Sequence, residues 1–460
     1  MEKTKYTHRF LAHIVIEAKT PLAVGCGEKD ILTDALVATD VNGLPYIPGT
    51  AIAGVVRHMI DVVKPVGFDT NQIFGFQDKK DGRGSEIIFT EAKILNSKGE
   101  VIDGMYLNAK EDDLLKHYDK LPVRQHVRIN EKGVNAGFGK FDEQVVFAGT
   151  RFCFELEMVA KNATIDNFNK ILEQIQNRSF RIGGGTRCGF GEVEVVDLQT
   201  RVLDLNVEGQ RNEYLDKSSA LNSDFWNKEY TKPEIKDDSD GWMKYKLEIQ
   251  PEDFFLFGSG FGDDEVDMTP VKDAKVDWSS GKGVFKEDMV LIPATSVKGA
   301  LAHRTAFHFN RLKERFVGCI GDKEPKVGNE NEAVQVLFGY ENQKQKKQVR
   351  GNVLLSDVIE KKLDDKILNH VAIDRFTGSA IDGALFSEKT TYGKGQTFEM
   401  TILVNKKAIG GEKIQEAFEE ALKDVCKGLL PLGGGVNRGN GVFTGTLKRD
   451  NELIYPQKEA

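Results

Sequence analysis

Two stretches decide how this chain reads: IPGTAIAGVVRH at residues 47–58 and IPATSVKGALAH at residues 292–303. Each sets a proline before a small-residue helix start and ends on a histidine. The similarity extends outward in both directions. TPLAVGCG (20–27) has a partner in FFLFGSG (254–260), and IFGF (73–76) in LFGY (337–340). HVRINEKG (126–133) pairs with HVAIDRFTG (370–378), and GTRFCFELEM (149–158) with GQTFEMTIL (395–403). GGGTRCGFG (183–191) pairs with GGGVNRGNG (433–441). Six landmarks recur in one order, at offsets from about 233 to about 264 residues. Chance similarity does not preserve order, so the chain is expected to carry one domain twice.

The chain has 460 residues, 40% of them hydrophobic and 29% charged, the balance of a globular protein of two to four domains. Its longest apolar runs, such as Phe10–Ile16, are too short to span a bilayer. The opening MEKTKYTHRF lacks the apolar core of a signal peptide. Cys26, Cys153, Cys188, Cys319 and Cys426 show no CxxC spacing, so neither a disulfide framework nor a zinc cluster is supported. A reducing cytoplasm, with no membrane partner, is the expected setting. The net charge of −8 argues mildly against nucleic-acid binding, because phosphate contacts need cations. A basic strip on one face is compatible with an acidic remainder.

Between the copies, residues 205–241 are polar, charged and without steady period, and read as a linker. The copies then span 1–204 and 242–460. Strict alternation at Phe152, Phe154, Leu156 and Met158, at Tyr245, Leu247 and Ile249, and at Phe398, Met400, Ile402 and Val404 predicts half-buried strands. Arg9–Glu17 alternates only loosely. Helical spacing at Ile52, Val55, Val56, Met59 and Val63 predicts a helix after each proline. Ile165–Ile175 and Ile414–Leu429 predict another before each triple glycine. The order strand, helix, strands, helix, glycine loop, strand predicts an α+β chain of two tandem βαββαβ, ferredoxin-like domains with large insertions.

Each glycine loop holds five glycines in nine residues. A helix C-cap needs one. Closely spaced amide groups at Gly183, Gly184 and Gly185, and at Gly433, Gly434 and Gly435, can cradle a phosphate or a backbone. Arg187 and Arg438 lie inside the loops and suit phosphate pairing. The P-loop pattern is absent, and the loops precede a strand rather than open a helix, so the dinucleotide fingerprint fails too.

Taken together, TPLAVGCG, IPGTAIAGVVR, IFG and GGGTRCGFG, then LFGSG, IPATSVKGALAHR, LFG and GGGVNRGNG, resemble the RAMP superfamily of CRISPR-associated proteins. The match covers most of both copies. Within it the chain is similar to backbone subunits of type III effector complexes of the Csm and Cmr kind, and its tandem form to type III-D. The resemblance implies RRM-like palms, each with a β-hairpin thumb. It implies a guide RNA and a complementary target RNA as partners. Other backbone subunits and a large polymerase-like subunit would be its protein neighbours. It also implies target cleavage with Mg²⁺ or another divalent cation and the RNA's own 2′-OH as nucleophile.

Carried onto this sequence, the family's loop aspartate falls at Asp34, with Asp30 and Asp40 less well matched. In the second copy Asp273 in KDAKV mirrors Asp34 in TDALV, whereas counting from the glycines places Asp267 there. Asp34 and Asp273 are the expected catalytic and metal-holding pair. The helix starts at Gly49-Thr50 and Thr295-Ser296 would offer N–H groups to a phosphate. Lys298 stands at the family lysine, and Ala53 departs from it. Arg57, His58 and Arg304 would support guide binding, as would His126 and Arg128 in the first copy and His370 in the second. Two other roles stay open: an inert guide-RNA scaffold, and a stand-alone guide-precursor nuclease. The latter normally uses a histidine, and none lies beside either glycine loop in the sequence.

Overall fold

The computed structural model describes residues 6–29, 33–78, 81–129, 135–161, 165–228, 230–234, 241–342, 347–411 and 413–456. In the first domain, strand β1 (His8–Ala18) leads to helix α1 (Gly49–Val63) and a short strand β2 (Ile87–Phe89). Strands β3 (Val123–Ile129) and β4 (Asn135–Gln144) form a hairpin, then come β5 (Arg151–Ala160), α2 (Asp166–Gln176) and β6 (Val193–Asp204). The sheet order β2-β5-β1-β6, antiparallel throughout, is that of a ferredoxin-like fold. Phe152, Phe154, Leu156 and Met158 point into one core with Ile52, Val56, Phe168 and Ile171.

The second domain repeats the plan. It runs β7 (Trp242–Pro251), a hairpin β8 (Lys272–Asp277) and β9 (Val284–Ile292), α4 (Ala294–Leu312) and β10 (Val353–Leu355). A second long hairpin, β11 (Asp365–Ile373) and β12 (Ala380–Tyr392), precedes β13 (Phe398–Asn405), α5 (Ile414–Cys426), β14 (Phe443–Arg449) and β15 (Glu452–Tyr455). The sheet order is β10-β13-β7-β14-β15. Tyr245, Leu247, Ile249, Phe398, Met400 and Ile402 pack against Phe418 and Leu422 in its core. No helix among the described residues is long and apolar enough to cross a membrane.

The loose alternation of β1 has a physical cause. Residues 205–228 and 230–231 do not hang free between the domains. They lie across the open face of the first sheet, starting with helix α3 (Glu208–Leu215). Trp226 stacks near His13 at 5.3 Å and donates its Nε1–H to Glu155 Oε1 at 2.5 Å. Lys217 pairs with Glu155 at 2.6 Å, and Tyr214 donates to Glu157 at 2.6 Å. Both faces of β1 are therefore buried: Leu11 and His13 turn to the strap, and Val15 packs with Leu95 and Cys153. Among the described residues no strap covers β7. There Lys246 and Glu248 face outward with Glu399 and Lys448, and the alternation is clean.

The domains meet head to tail. The first glycine loop and the root of the β3–β4 hairpin sit on the start of α4 and on the β8–β9 hairpin. That hairpin fills the long second-copy loop, where the first copy has only the turn Asp40–Pro45. Trp278 donates its Nε1–H to Gly149 O at 2.8 Å and lies under the Arg151 guanidinium at 4.2 Å. Phe285 packs on Phe147 and His117. At the centre, buried Arg124 of β3 pairs with buried Asp273 and stands 3.6 Å from buried Asp357. Asp357 also accepts the Ala294 N–H, at 2.8 Å, capping α4 from its side. Gly189, at φ 109°, touches both: a Cβ there would lie 2.2 Å from Asp357 and 2.8 Å from Ala294.

Burial pushes the carboxyls of Asp273 and Asp357 up, and the Arg124 guanidinium works against that shift. Arg124→Ala strands two buried carboxylates, which costs about 3–5 kcal/mol. Because their folded pKa values lie above the unfolded ones, protonation favours the folded form, and the loss shrinks as pH falls through those values. Urea unfolding at neutral and at mildly acidic pH checks this. An equal loss at both removes the carboxylates from the explanation.

Candidate nucleic-acid interface

The glycine loops follow one backbone path. Gly183, Gly185, Gly189 and Gly191 have φ between 61° and 109°, and Gly433, Gly435, Gly439 and Gly441 between 66° and 93°. Side chains rarely adopt such values. The loops also press on the strand-like stretch before each GxG. Gly184 donates its N–H to Ala23 O at 2.7 Å and Gly434 to Leu256 O at 2.6 Å. A Cβ on Gly183 or Gly433 would come within 2.6 or 2.4 Å of the same carbonyls. Only Gly184 and Gly434 are free of both constraints: their φ values are ordinary and a Cβ would make ordinary contacts. Gly184 lies on the surface and Gly434 is half-buried. The fold explains four glycines of each five and leaves one for close approach from outside.

Superposing the loops by these glycines places Arg187 opposite Asn437, and Arg438 opposite Cys188. The two arginines are not counterparts. Arg438 is bound to the fully buried Glu388 at 2.5 Å and lies over Phe386. Asn440 and His370 reach the same carboxylate, at 3.3 and 3.1 Å. Arg187 crosses to the second domain and donates to Gly351 O at 2.9 Å.

Around Arg187 the joint collects cations. Lys298, one turn into α4, and Arg350 are its neighbours, and Arg350 meets His58 at 3.3 Å. Burial pushes Arg187 down to about 9, helped by repulsion from Arg350 and Arg181. Burial likewise lowers Lys298, with Arg187 adding to the effect, and it lowers Arg350. Among the described residues none of these three has a carboxylate partner, whereas most buried cations of this chain do. Desolvated cations without counter-charges are raised in energy, and an arriving polyanion relieves them.

Each long hairpin is rooted by one motif that the sequence repeats unnoticed: Phe141-Asp142-Glu143 and Phe386-Ser387-Glu388. His126 stacks on Phe141 at 4.8 Å and pairs with Glu143 at 3.1 Å. His370 stacks on Phe386 at 4.8 Å and pairs with Glu388 at 3.1 Å. Neither imidazole projects freely from a thumb. His126 also meets Phe190 of the first glycine loop, so the fold brings each histidine to a loop that lies far away in sequence. The side chain of Arg128 lies outside the described residues.

The aspartates need a correction. Bridges Gly25–Val37 and Gly258–Pro270 match, as do the hydrogen bonds Cys26 N–H to Leu36 O and Ser259 N–H to Thr269 O. This register puts Asp34 opposite Asp267 and Asp40 opposite Asp273. The side-chain contacts agree. Asp34 donates its N–H to Asp142 Oδ1 at 2.9 Å and accepts the Asp142 N–H at 3.2 Å. Asp267 accepts the Ser387 N–H at 2.8 Å and its Oγ–H at 3.2 Å. Both aspartates are exposed beside a thumb root, whereas Asp273 is buried against Arg124. Asp30 lies outside the described residues.

Among the described residues no three acids, histidines or cysteines gather as a metal cluster, so only a largely hydrated cation would fit at Asp34, beside Asp142, or at Asp267, beside Ser387. Asp273 does not fit, because its carboxylate already carries a guanidinium. Arg57 is tied to Gly75 O and Asn71, and Arg304 to Asp424, so both guanidinium groups brace their own domains. At the helix starts Thr50 and Ser296 are exposed and Thr295 half-buried, while Gly49 is packed under Phe89 O, where a Cβ would lie 2.3 Å away.

The family model of the RAMP superfamily matches residues 15–194 and 284–444, one region in each structural repeat. No curated protein matches the chain. The two matched regions cover most of the sequence, and one falls within each ferredoxin-like palm, the second beginning at β9, after β7. The chain belongs to the RAMP superfamily and carries two of its domains in tandem.

Proposed function

We propose that this protein is a guide-RNA-binding backbone subunit of a type III CRISPR effector complex, and that it cuts the paired target RNA at Asp34 and Asp267. The observation that carries the reading is the group of Arg187, Lys298 and Arg350 at the domain joint, the first two half-buried, the third exposed, and none with a carboxylate partner among the described residues. Their relief by phosphate supplies affinity without sequence choice, as a subunit that holds any guide requires. The bare backbone at Gly184 and Gly434 extends the same path in each domain.

The thumbs suit the second half of the function. Val127, Ile129 and Phe141 on the first, and Val371, Ile373, Phe376 and Leu385 on the second, expose apolar side chains to solvent. Such side chains wedge between bases at a modest cost in unstacking. A nucleotide splayed at a thumb root would lie beside Asp34 or Asp267. In the reaction that the family resemblance implies, the 2′-oxygen bonds to the adjacent phosphorus and the P–O5′ bond breaks. The 2′-OH proton leaves and the 5′-oxygen gains one. A divalent cation would supply charge neutralisation at the phosphate. The aspartates would hold it, and each thumb root would hold its aspartate.

Neutralising Arg187, Lys298 and Arg350 together as glutamines lowers affinity for single-stranded RNA. It also flattens the plot of log affinity against log salt by about 2, from three lost contacts at about 0.7 each. Filter binding over a salt series checks this, and an unchanged slope removes the joint from the RNA path.

In the assembled complex, Asp34→Ala and Asp267→Ala each abolish one target fragment, and chelating the metal abolishes both while guide binding persists. Asp273→Ala lowers the unfolding midpoint without deleting a particular fragment. Gel analysis of end-labelled target decides. Identical fragments from the Asp34, Asp267 double variant would leave the chain as an inert scaffold.

A further inference from the structure

The thumb face that carries the Asp34 site is completed by the second domain. Register on the first thumb sets Gln125 beside Asp142, and Lys140, two residues before Asp142, points the same way. The turn that meets this face comes from the other domain. A Cβ on Gly260 would lie 3.4 Å from Gln125 Oε1, and the Lys140 ammonium stands 5.1 Å from the centre of the Phe261 ring. Asp142 exchanges hydrogen bonds with Asp34, so a ring of the second domain stands on the same thumb face as the partner of Asp34.

Phe261 belongs to neither hydrophobic core and is 57% exposed. Its backbone is nevertheless fixed. Phe261 O accepts from the Thr269 N–H at 3.1 Å and from the Thr269 and Ser259 hydroxyls at 3.0 Å, and the Phe261 N–H donates to Ser259 Oγ at 3.2 Å. The turn does not require an aromatic residue. In the first domain the Leu36 N–H donates to Glu28 O at 3.2 Å, which puts exposed Glu28 at the place of Phe261. What Phe261 adds is a preorganised π-face. Lys140 caps one side of the ring, as a cation does over an aromatic face, and more than half of the residue stays open to solvent.

We propose that Phe261 is the stacking platform for the base of the target nucleotide cut at Asp34. The base turned out by the first thumb lies on the open side of the ring. The inference rests on the functional reading above and adds to it a residue from the other domain. Phe261 takes no part in the bond changes; it holds the nucleotide while the 2′-oxygen lines up on the phosphorus. Every base has a π-face, so the platform accepts all four, and the larger purine rings stack more strongly. Because the ring leans on the first thumb, the Asp34 site depends on it and the Asp267 site does not.

The test uses the assembled complex with its guide. In an Asp34→Ala chain, a target RNA carrying a single 5-iodouridine, moved one position at a time, is irradiated so that the iodinated base joins an aromatic ring stacked on it. A crosslink to Phe261 is expected from the nucleotide beside the cut that Asp34 makes, and none after Phe261→Ala. In chains with Asp34 intact, Phe261→Ala is expected to slow the Asp34 fragment by about ten-fold, the order of one lost stack. It is also expected to erase the faster cutting at a purine and to leave the Asp267 fragment at its wild-type rate. Phe261→Trp restores both the rate and the purine preference. Absence of a Phe261 crosslink, or a Phe261→Ala complex that makes both fragments at wild-type rates, would overturn the proposal. So would an equal slowing of both fragments, the mark of a loosened turn. A Phe261 crosslink in a complex whose cleavage ignores Asp34→Ala would keep the stack and fault the cleavage reading alone.

Discussion

One guanidinium holds the two halves of this molecule in a fixed relation. Arg124 leaves the root of the first thumb and enters a site made wholly by the second domain, between Asp273 and Asp357. Three charges out of water are tolerated only when their geometry is complete. Here it is completed by the Ala294 N–H on Asp357 and the Ala274 N–H on Asp273. Gly189 gives the close approach that lets the first glycine loop sit over the same carboxylate. The hairpin bearing Asp273 then reaches across to Phe147, Gly149 and Arg151.

What this constraint positions is a surface. With the domains locked, Arg187 from one and Lys298 and Arg350 from the other converge at the joint without acids to quench them. On the second sheet, by contrast, charges are neutralised locally in the ladder of Lys246, Glu248, Glu399 and Lys448. The acidic total of −8 therefore says little about a joint where cations gather. The strap that carries Tyr214, Phe225, Trp226 and Tyr230 closes the first sheet's open face, which leaves loops, helix starts and thumbs as that domain's working surface.

Much of the fold was legible in the sequence because it is written locally. Alternation at Phe398, Met400, Ile402 and Val404 reports one buried face, and the duplicated IPGT and IPAT stretches report the repeat itself. The glycine loops were legible as loops, although most of their glycines serve positive φ and packing rather than a ligand. What escaped depends on residues far apart. The Arg124–Asp273 pair spans 149 positions. KDAKV looks like TDALV, which makes Asp273 the apparent counterpart of Asp34 in the sequence. The hairpin that follows it is an insertion, and only strand register shows that Asp267 keeps the place beside the thumb. The Phe-Asp-Glu and Phe-Ser-Glu roots were in plain view but carried no known signal. The linker reading missed that Trp226 and Tyr214 had a sheet face to cover.

The central claim is that RNA runs along the joint and the two glycine loops rather than over the sheets. Photocrosslinking a guide RNA with evenly spaced thiouridines to the chain, followed by peptide mapping, tests it most directly. The account predicts crosslinks in residues 183–191 and 433–441 and near Lys298 and Arg350. Crosslinks confined to the exposed face of β7, β13 and β14, with none in either glycine loop, would contradict it.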